Sequence, residues 1–142
     1  MRLKVFSDGG ARGNPGPSAI AFLVVSEDER VLHTDRLFLG DHTNNQAEYW
    51  AIITALQYAA SLKAEEVTCY LDSELVTKQL NGEYAVKNPE LQKLWEKTRE
   101  LRLRIKKVTF TNVPRTNRYI QQADSLLNQV LDEEIKRRRL KT

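Results

Sequence analysis

Cysteine and histidine are scarce in this sequence of 142 residues, which contains one cysteine and two histidines. A single cysteine, Cys69, cannot form a disulfide within the chain, so no disulfide framework is expected. Chains without disulfides are typical of reducing compartments, and we expect a cytoplasmic protein. The same scarcity disfavours a zinc site, because zinc in proteins is held mainly by cysteine and histidine.

Long hydrophobic runs are also missing. No stretch of about 18 apolar residues is present, so no membrane span is expected. The first residues, Met1–Val5, lack the apolar segment and cleavage site of a signal peptide. A chain of this length with 41% hydrophobic residues can form one domain with a real core. We expect a monomer with a single domain at residues 1–135 and a basic tail at residues 136–142.

Positive charge is concentrated at the end of the chain. The net charge is +3, and the basic residues of the tail are Lys136, Arg137, Arg138, Arg139 and Lys141. The rest of the chain therefore holds slightly more acidic than basic residues. Two interpretations stay open: a solvated helix end, where cations interact favourably with the helix dipole, or a segment that attracts phosphate.

The predicted elements follow the order β-β-β-α-β-α-α-β-α. Apolar runs predict strands at residues 2–8, 18–25, 31–39, 67–71 and 107–113. Helical periodicity and helix-start signals predict helices at residues 46–62, 73–80, 89–105 and 118–136. Three strands followed by alternating strands and helices indicate an α/β fold. Its mixed five-stranded sheet combines an antiparallel meander with parallel strands and has helices on both faces.

Four acidic residues stand in segments where an isolated carboxylate is costly. Asp8 and Asp72 end two strand-like runs, Glu48 lies near the start of an almost uncharged helix, and Asp124 is flanked by apolar residues. Buried carboxylates must be paired, hydrogen-bonded or metal-bound, and no nearby lysine or arginine in the sequence is an evident partner. If the fold gathers the four, a divalent cation relieves their repulsion, and all-oxygen ligands suit Mg²⁺ or Mn²⁺.

Each of these four carboxylates also has an ordinary alternative when taken alone. Asp8 fits a turn before a glycine, and Asp72 fits the cap of the following helix. Glu48 fits a surface glutamate favoured by the helix dipole, and Asp124 fits an exposed helix position.

Two polar segments are suited to contact a ligand. Residues 9–17 (GGARGNPGP) are rich in turn formers, and Gly9 and Gly10 let the backbone approach a ligand closely. Backbone groups there can read 2′-hydroxyls, which distinguish RNA from DNA, while a tight turn is the alternative. Uncharged groups suited to phosphate oxygens or sugar edges are present at Asn14, Thr43, Asn44 and Asn45. Helix capping is the alternative for the asparagines before the first helix.

Four blocks of the sequence form a larger pattern. They are residues 7–18 (SDGGARGNPGPS), 43–49 (TNNQAEY), 72–84 (DSELVTKQLNGEY) with 86–89 (VKNP), and 112–117 (NVPRTN) with 122–126 (QADSL). These blocks and the order of elements are similar to the type 1 ribonuclease H family over about residues 2–131. The first three blocks match well and in the right order, and the similarity is greatest to small stand-alone bacterial and archaeal members. The resemblance implies the ribonuclease H-like fold.

The same resemblance implies a metal-dependent endonuclease. Such an enzyme cuts the RNA strand of an RNA–DNA hybrid and leaves 5′-phosphate and 3′-hydroxyl ends. The family's metal-binding and catalytic carboxylates correspond to Asp8, Glu48, Asp72 and Asp124. Two Mg²⁺ ions about 4 Å apart would flank the scissile phosphate, with Mn²⁺ as a substitute. The implied contacts to the substrate, including the minor groove of the hybrid and a DNA phosphate, are Gly9, Gly10, Asn14, Thr43, Asn44 and Asn45.

The sequence departs from the family pattern in two places. Many members carry a histidine before the last carboxylate, but Asn112 stands there, and the spacing to Asp124 is longer. Arg115, Asn117 or Arg118 are the polar residues left to approach the metals. The basic insertion that some members carry after the third block is short here, so we expect substrate affinity to depend on the basic tail.

Other polar and aromatic residues have mainly structural interpretations. Glu74 and Lys78 are spaced for a surface ion pair on a helix, and contact of Lys78 with the substrate is the alternative. Tyr84 fits either the border of the substrate groove or the core. His33 is interpreted as structural and His42 as an exposed loop residue.

Other activities stay open at this stage. A-form-like duplexes share 2′-hydroxyls in the minor groove, so cleavage of double-stranded RNA or of RNA–DNA junctions is one alternative. A catalytically inactive nucleic-acid-binding module is a second, and the intact acidic set argues against it. A transposase- or integrase-like strand transferase on a related fold is a third, and the Thr43–Asn45 block argues against it.

Overall fold

The structure of the protein is a computed structural model that describes residues 1–141, and it has the predicted order of elements. The strands are β1 (Arg2–Ala11), β2 (Gly16–Val25), β3 (Val31–His42), β4 (Glu66–Leu71) and β5 (Lys107–Asn112). The helices are α1 (Asn44–Ser61), α2 (Glu74–Leu80), α3 (Pro89–Arg102) and α4 (Arg118–Lys141). Thr142, the last residue of the predicted basic tail, lies outside the described residues.

The five strands form one mixed sheet in the order β3-β2-β1-β4-β5. β1 pairs antiparallel with β2, and β2 pairs antiparallel with β3, so the predicted meander is confirmed. β4 lies parallel to β1 on its other side, and β5 lies parallel to β4. The fold class predicted from the sequence, a ribonuclease H-like α/β fold with a mixed five-stranded sheet, is therefore confirmed.

Alternate residues of β1 face two separate hydrophobic cores, one on each side of the sheet. Leu3 and Val5 pack under α1 and α3 in the larger core. Phe6 faces the opposite core, which is built with Ile120 and Leu127 of α4. This alternation places helices on both faces and makes β1 a central strand whose polar residues are enclosed from both sides.

Most elements differ from their predicted limits by a few residues, and three of the extensions bear on the candidate site or the basic tail. β1 continues through the two glycines to Ala11, because Ala11 still pairs with Ser18 of β2, so the turn begins only at Arg12. α1 begins at Asn44, because Thr43 forms a capping box with Gln46. α4 continues to Lys141, so the described part of the basic tail is helical rather than irregular.

Arginine side chains of the tail explain why α4 continues. Arg137 and Arg138 both pair with Glu134 on the preceding helical turn. The Nη2 atom of Arg138 also lies 3.7 Å from Oδ1 of Asp41 in β3. The guanidinium of Arg138 lies 5.7 Å from the ring centroid of Phe38. These contacts of Arg138 attach the last turns of the helix to the sheet. Across residues 1–141, no helix combines the length and the apolar character needed to span a membrane.

Candidate active site

Three carboxylates from three different elements meet at one end of the sheet. Asp8 lies in β1, Asp72 directly follows β4, and Glu48 lies in α1 near its N-terminus. Because β1 and β4 are adjacent and parallel, the two aspartates lie side by side. Carboxylate oxygens of the three residues lie within 4.8 Å of one another.

Gly9 determines how closely α1 approaches β1, and so where Glu48 lies. A Cβ atom at Gly9 would stand 2.3 Å from the carbonyl oxygen of Ala47, a distance that no side chain can adopt. The backbone N–H of Gly9 donates to Oε1 of Glu48 at 3.4 Å. The glycine after Asp8 is therefore a packing requirement of the site, in addition to the ligand contact proposed from the sequence.

The three carboxyl groups are held in surroundings that disfavour their charged forms. Burial, reinforced by the charge of Asp72, raises the pKa of Asp8 to about 8. Burial also raises the pKa of Glu48 well above its usual range, and the charge of Asp8 acts in the same direction. Burial raises the pKa of Asp72, although the nearby guanidinium of Arg115 partly offsets it. Without a cation, the site therefore favours a protonated carboxyl group at Asp8 near neutral pH and disfavours the charged forms of Glu48 and Asp72.

These donors fit a hard divalent cation. The Oε2 atom of Glu48 is buried without a hydrogen-bond partner, which is costly unless another ligand satisfies it. All three side chains offer oxygen, the ligand type that Mg²⁺ and Mn²⁺ prefer. Asp8, Glu48 and Asp72 therefore form a candidate metal site.

Asp124 and Arg115 stand at the edge of this cluster. Both line a cavity of about 450 Å³ that also contains the three clustered carboxylates. Asp124 is an exposed residue of α4 and is not part of the cluster within 4.8 Å. Its charge nevertheless contributes to the raised pKa values of Asp8 and Asp72, so it lies close enough to influence the candidate metal site.

Of the three polar residues that the sequence left to approach the metals, Arg115 is the one that lines the acidic cavity. Its Nε atom lies 3.8 Å from Oδ2 of Asp72, so the expectation that no lysine or arginine pairs with the carboxylates was wrong for Asp72. Asn112, at the position of the family histidine, donates to the carbonyl of Leu71 at 3.1 Å and ties β5 to β4. The side chain of Arg115 is 91% exposed, so it is available to a ligand in the cavity.

The predicted substrate residues lie in two adjoining cavities. Gly9, Gly10, Asn44 and Asn45 line the acidic cavity. Asn14 and Thr43 line a neighbouring cavity of about 370 Å³, which shares Asn44 and Asn45 with the first. All six residues implied by the resemblance are thus at or beside the acidic cavity.

Several of these residues also have structural roles. Thr43 caps α1, accepting from the backbone N–H of Gln46 at 3.2 Å. Oδ1 of Asn44 accepts from the N–H of Ala11 at 2.8 Å, and Oδ1 of Asn14 accepts from the N–H of Asn44 at 3.1 Å. These bonds tie the end of β1 and the glycine-rich turn to the start of α1. Helix capping, the alternative given for the asparagines, is the role of Thr43 instead, whereas Asn44 joins the end of β1 to the start of α1.

The remaining polar residues are mostly structural. Lys78 and Glu74 form the predicted surface ion pair at 2.9 Å. Tyr84 is exposed beneath Lys78 rather than in the core. The ring of His33 stacks on Tyr58, with centroids 4.1 Å apart. Half-buried His42 approaches Ser18, with Nδ1 and Oγ 3.2 Å apart.

A mixed sheet in this order, with an acidic cluster where β1, β4 and α1 meet, defines a ribonuclease H-like domain with a candidate metal site. The family model described as reverse transcriptase-like matches residues 6–130. Ribonuclease HI of Halobacterium salinarum is 38% identical over 93% of this chain and 65% of its own length. The bifunctional protein Rv2228c of Mycobacterium tuberculosis is 37% identical over 93% of this chain and 36% of its own length.

Solved structures agree with these relatives. The crystal structure of RNase H1 from Halobacterium salinarum has a TM-score of 0.89 and 38% identity, covering 94% of this chain and 99% of that chain. LC11-RNase H1, solved in complex with an RNA/DNA hybrid, has a TM-score of 0.87 and 33% identity, with coverage of 94% and 99%. The chain belongs to the ribonuclease H family. It spans only about two thirds or less of the full length of the relatives named above.

Proposed function

We propose that the protein is a metal-dependent endonuclease that hydrolyses the RNA strand of RNA–DNA hybrids and leaves 5′-phosphate and 3′-hydroxyl ends. One observation carries the proposal. Asp8, Glu48 and Asp72 lie within 4.8 Å of one another, and Glu48 keeps a buried oxygen with no partner, on the fold of the ribonuclease H family. That a similar protein has been solved with an RNA/DNA hybrid supports the choice of substrate.

The four carboxylates have the central role in this proposal. Asp8, Glu48 and Asp72 would hold Mg²⁺, or Mn²⁺ in its place, and Asp124 would complete the ligand set from the rim of the cavity. Two such ions supply, when bound, an activated water and charge neutralisation at the leaving oxygen of the phosphodiester. Because the pKa values of Asp8 and Glu48 are strongly raised, binding of the ions would be accompanied by release of protons from these groups.

The uncharged residues would position the hybrid. Gly9 and Gly10 bring backbone close to the cavity, where it can meet the 2′-hydroxyls of the RNA strand. Asn14, Thr43, Asn44 and Asn45 offer amide and hydroxyl groups to sugar edges and phosphates. We assign this function to a domain at residues 1–135, with residues 136–142 as an accessory basic segment.

A cleavage assay with end-labelled strands tests the proposal. RNA–DNA hybrid, double-stranded RNA and double-stranded DNA are each incubated with Mg²⁺ or Mn²⁺ and the wild-type protein, Asp72→Asn, or the control Asp35→Asn. Asp35 is an exposed aspartate of the edge strand β3, so its substitution makes the same chemical change away from the cavity. We expect Asp72→Asn to lower the cleavage rate by about 100-fold or more, because it removes a charged group from the reacting centre.

The outcomes separate the alternatives. Metal-dependent cutting of the RNA strand, retained by Asp35→Asn and lost by Asp72→Asn, supports the proposal. Cutting of double-stranded RNA in addition broadens the substrate range. Binding without cutting, with either metal, makes the protein a nucleic-acid-binding module instead.

A further inference from the structure

Three cavities form a continuous groove that leads away from the carboxylates. The acidic cavity shares Asn44 and Asn45 with the neighbouring cavity of about 370 Å³, which we call the asparagine cavity. That cavity shares Gln46 and Glu90 with a third, of about 330 Å³, which lies between α1 and α3. We call this third cavity the outer groove; its lining includes His42, Gln46, Trp50, Glu90, Lys93 and Lys97.

The outer groove combines an aromatic ring with cations. Trp50 of α1 is only half-buried, so part of its indole faces the groove. Nζ of Lys97 lies 4.9 Å from the centroid of the Trp50 ring. Lys93 is one helical turn before Lys97, so both ammonium groups project from the same side of α3. An aromatic surface beside lysines is the usual combination for binding a nucleic-acid strand, because it offers contact to a base or sugar and to the phosphates.

The acidic residue of the groove does not cancel these cations. Glu90 pairs with Lys93 at 3.5 Å, but both side chains are well exposed, so the pair is weak and exchanges readily for a phosphate. Glu90 is the single acidic residue among those that line the outer groove, against the two lysines Lys93 and Lys97. The outer groove therefore keeps a net positive charge, in contrast to the acidic cavity at the other end of the row of three cavities.

The position of the outer groove selects one strand of a hybrid. This step rests on the proposed function, in which the RNA strand lies at the carboxylates. The asparagine side chains between the two ends would face the minor groove, and the two strands of a duplex face each other across that groove. A contact beyond the asparagines, along α1, therefore reaches the strand that is not cut.

We propose that the outer groove binds the DNA strand of the hybrid beyond the asparagine cavity, through phosphates at Lys93 and Lys97 and a base or sugar at Trp50. The site extends the footprint of the protein on the DNA strand without contributing to the chemistry. It increases affinity for hybrids whose DNA strand is long enough to reach it.

The test uses hybrids that share one double-stranded RNA–DNA core and one cleavage site. One set carries a single-stranded DNA extension on either side, a second carries the same extensions in RNA, and a third is blunt and short. Dissociation constants are measured by fluorescence anisotropy in EDTA, so that binding is followed without cleavage, and kcat and KM are measured with Mg²⁺. The variants are Lys93→Gln/Lys97→Gln and Trp50→Phe, with Lys106→Gln/Lys107→Gln as the matched control. The control lysines are exposed and lie at the start of β5, at the opposite end of that strand from the carboxylates.

We expect Lys93→Gln/Lys97→Gln to weaken binding of the DNA-extended hybrid by about tenfold and to lower its salt slope by about 2, because two phosphate contacts are lost. The short hybrid should be unaffected, and kcat should stay within about twofold, because neither lysine touches the reacting atoms. Trp50→Phe should keep most of the affinity, since an aromatic ring remains.

The proposal would be overturned if wild type and variants bound all hybrids with equal affinity. It would also be overturned if the variants lost affinity for the RNA-extended hybrids instead of the DNA-extended ones. Failure of wild-type protein to bind any hybrid in EDTA would overturn it too. Failure of the proposed function looks different: the extended hybrids bind through the lysines, but the wild-type protein with Mg²⁺ cuts none of them.

Discussion

At the scale of single residues, two adjacent glycines allow a sharp comparison. A Cβ at Gly9 would stand 2.3 Å from backbone of α1, whereas a Cβ at Gly10 would stand 3.5 Å from Cδ1 of Leu127, an ordinary contact. Gly9→Ala must push α1 away from β1, so we expect a loss of about 1–3 kcal/mol of stability and a melting temperature lower by several degrees. Gly10→Ala should keep the wild-type melting temperature.

The cleavage activity of Gly9→Ala and Gly10→Ala should differ in another way than their stability does. Since Gly10 lines the acidic cavity, a methyl group there stands between the backbone and the substrate, and we expect an increased KM for the hybrid despite normal stability. Thermal denaturation followed by circular dichroism, together with cleavage kinetics, measures both effects. An unstable Gly10→Ala, or a Gly9→Ala with wild-type stability, would contradict this account of the packing.

A second prediction at the scale of single residues concerns Arg115. Its guanidinium counters the rise in the pKa of Asp72, so Arg115→Ala should raise that pKa further and weaken metal binding at low pH. We therefore expect the acidic limb of the pH profile of kcat/KM to move to higher pH. We also expect kcat/KM to fall about tenfold, because a charge-assisted contact of the guanidinium is lost as well. Arg115→Lys should return the acidic limb of the pH profile to its wild-type position. It should recover only part of the rate, since lysine lacks the planar guanidinium group. An unchanged pH profile in Arg115→Ala would exclude this role.

The sequence predicted the clustered carboxylates better than it predicted their surroundings. Asp8 and Asp72 each stand at or near the end of an apolar run, and parallel neighbouring strands bring such positions together. Arg115 was one of three polar candidates, because its approach to Asp72 depends on the path of the loop after β5, which has no periodic pattern. The packing role of Gly9 was also hidden, since it depends on the distance between a helix and a strand far apart in the sequence.

At the scale of elements, the ends of strands and helices were hardest to predict where contacts with other elements determine them. Apolar runs located all five strands, but β1 extends through two glycines because its partner β2 continues to pair with it. The end of α4 was predicted at residue 136, where apolar periodicity stops. Contacts of Arg138 with Asp41 and Phe38, which no local pattern encodes, accompany its extension to Lys141.

The helical extension of α4 gives the basic tail a defined place. Arg138 contacts Asp41, two residues before Thr43, so the basic end of α4 lies near the asparagine cavity. Deleting residues 136–142 should weaken hybrid binding and flatten its salt dependence, because phosphate contacts release counterions. Lys136→Gln/Lys141→Gln is the sharper variant, since it leaves the contacts of Arg138 in place, and we expect its salt slope to fall by about 2. A salt titration by anisotropy that matches wild type would remove the tail from the binding surface.

At the scale of the whole molecule, the fold holds an acidic cluster whose charged forms are unfavourable in the absence of a cation. The ordinary pKa of aspartate is 3.8, while Asp8 in the folded protein has a pKa of about 8. Between these values the unfolded chain has released the proton and the folded chain retains it. Stability of the metal-free protein from this group is therefore complete below about pH 4 and is lost as the pH rises toward 8. Under the proposed function, a cation would reverse the effect, because it would bind the deprotonated carboxylates that only the folded state brings together.

The melting temperature should accordingly respond to pH and metal together. In EDTA, we expect it to fall more steeply from pH 5 to pH 8 in wild type than in Asp8→Asn, which has no proton to release at that position. A Mg²⁺ concentration about a hundredfold above the dissociation constant at pH 8 should restore about 2.7 kcal/mol, or roughly 5–10 °C, and the same concentration should restore less at pH 6, where protons compete for the carboxylates. Asp8→Asn should show little gain, while Asp35→Asn should behave as wild type. Differential scanning calorimetry in matched buffers measures each of these shifts. Equal Mg²⁺ gains in wild type and Asp8→Asn would mean that the ion binds elsewhere and that the cluster of Asp8, Glu48 and Asp72 does not hold it.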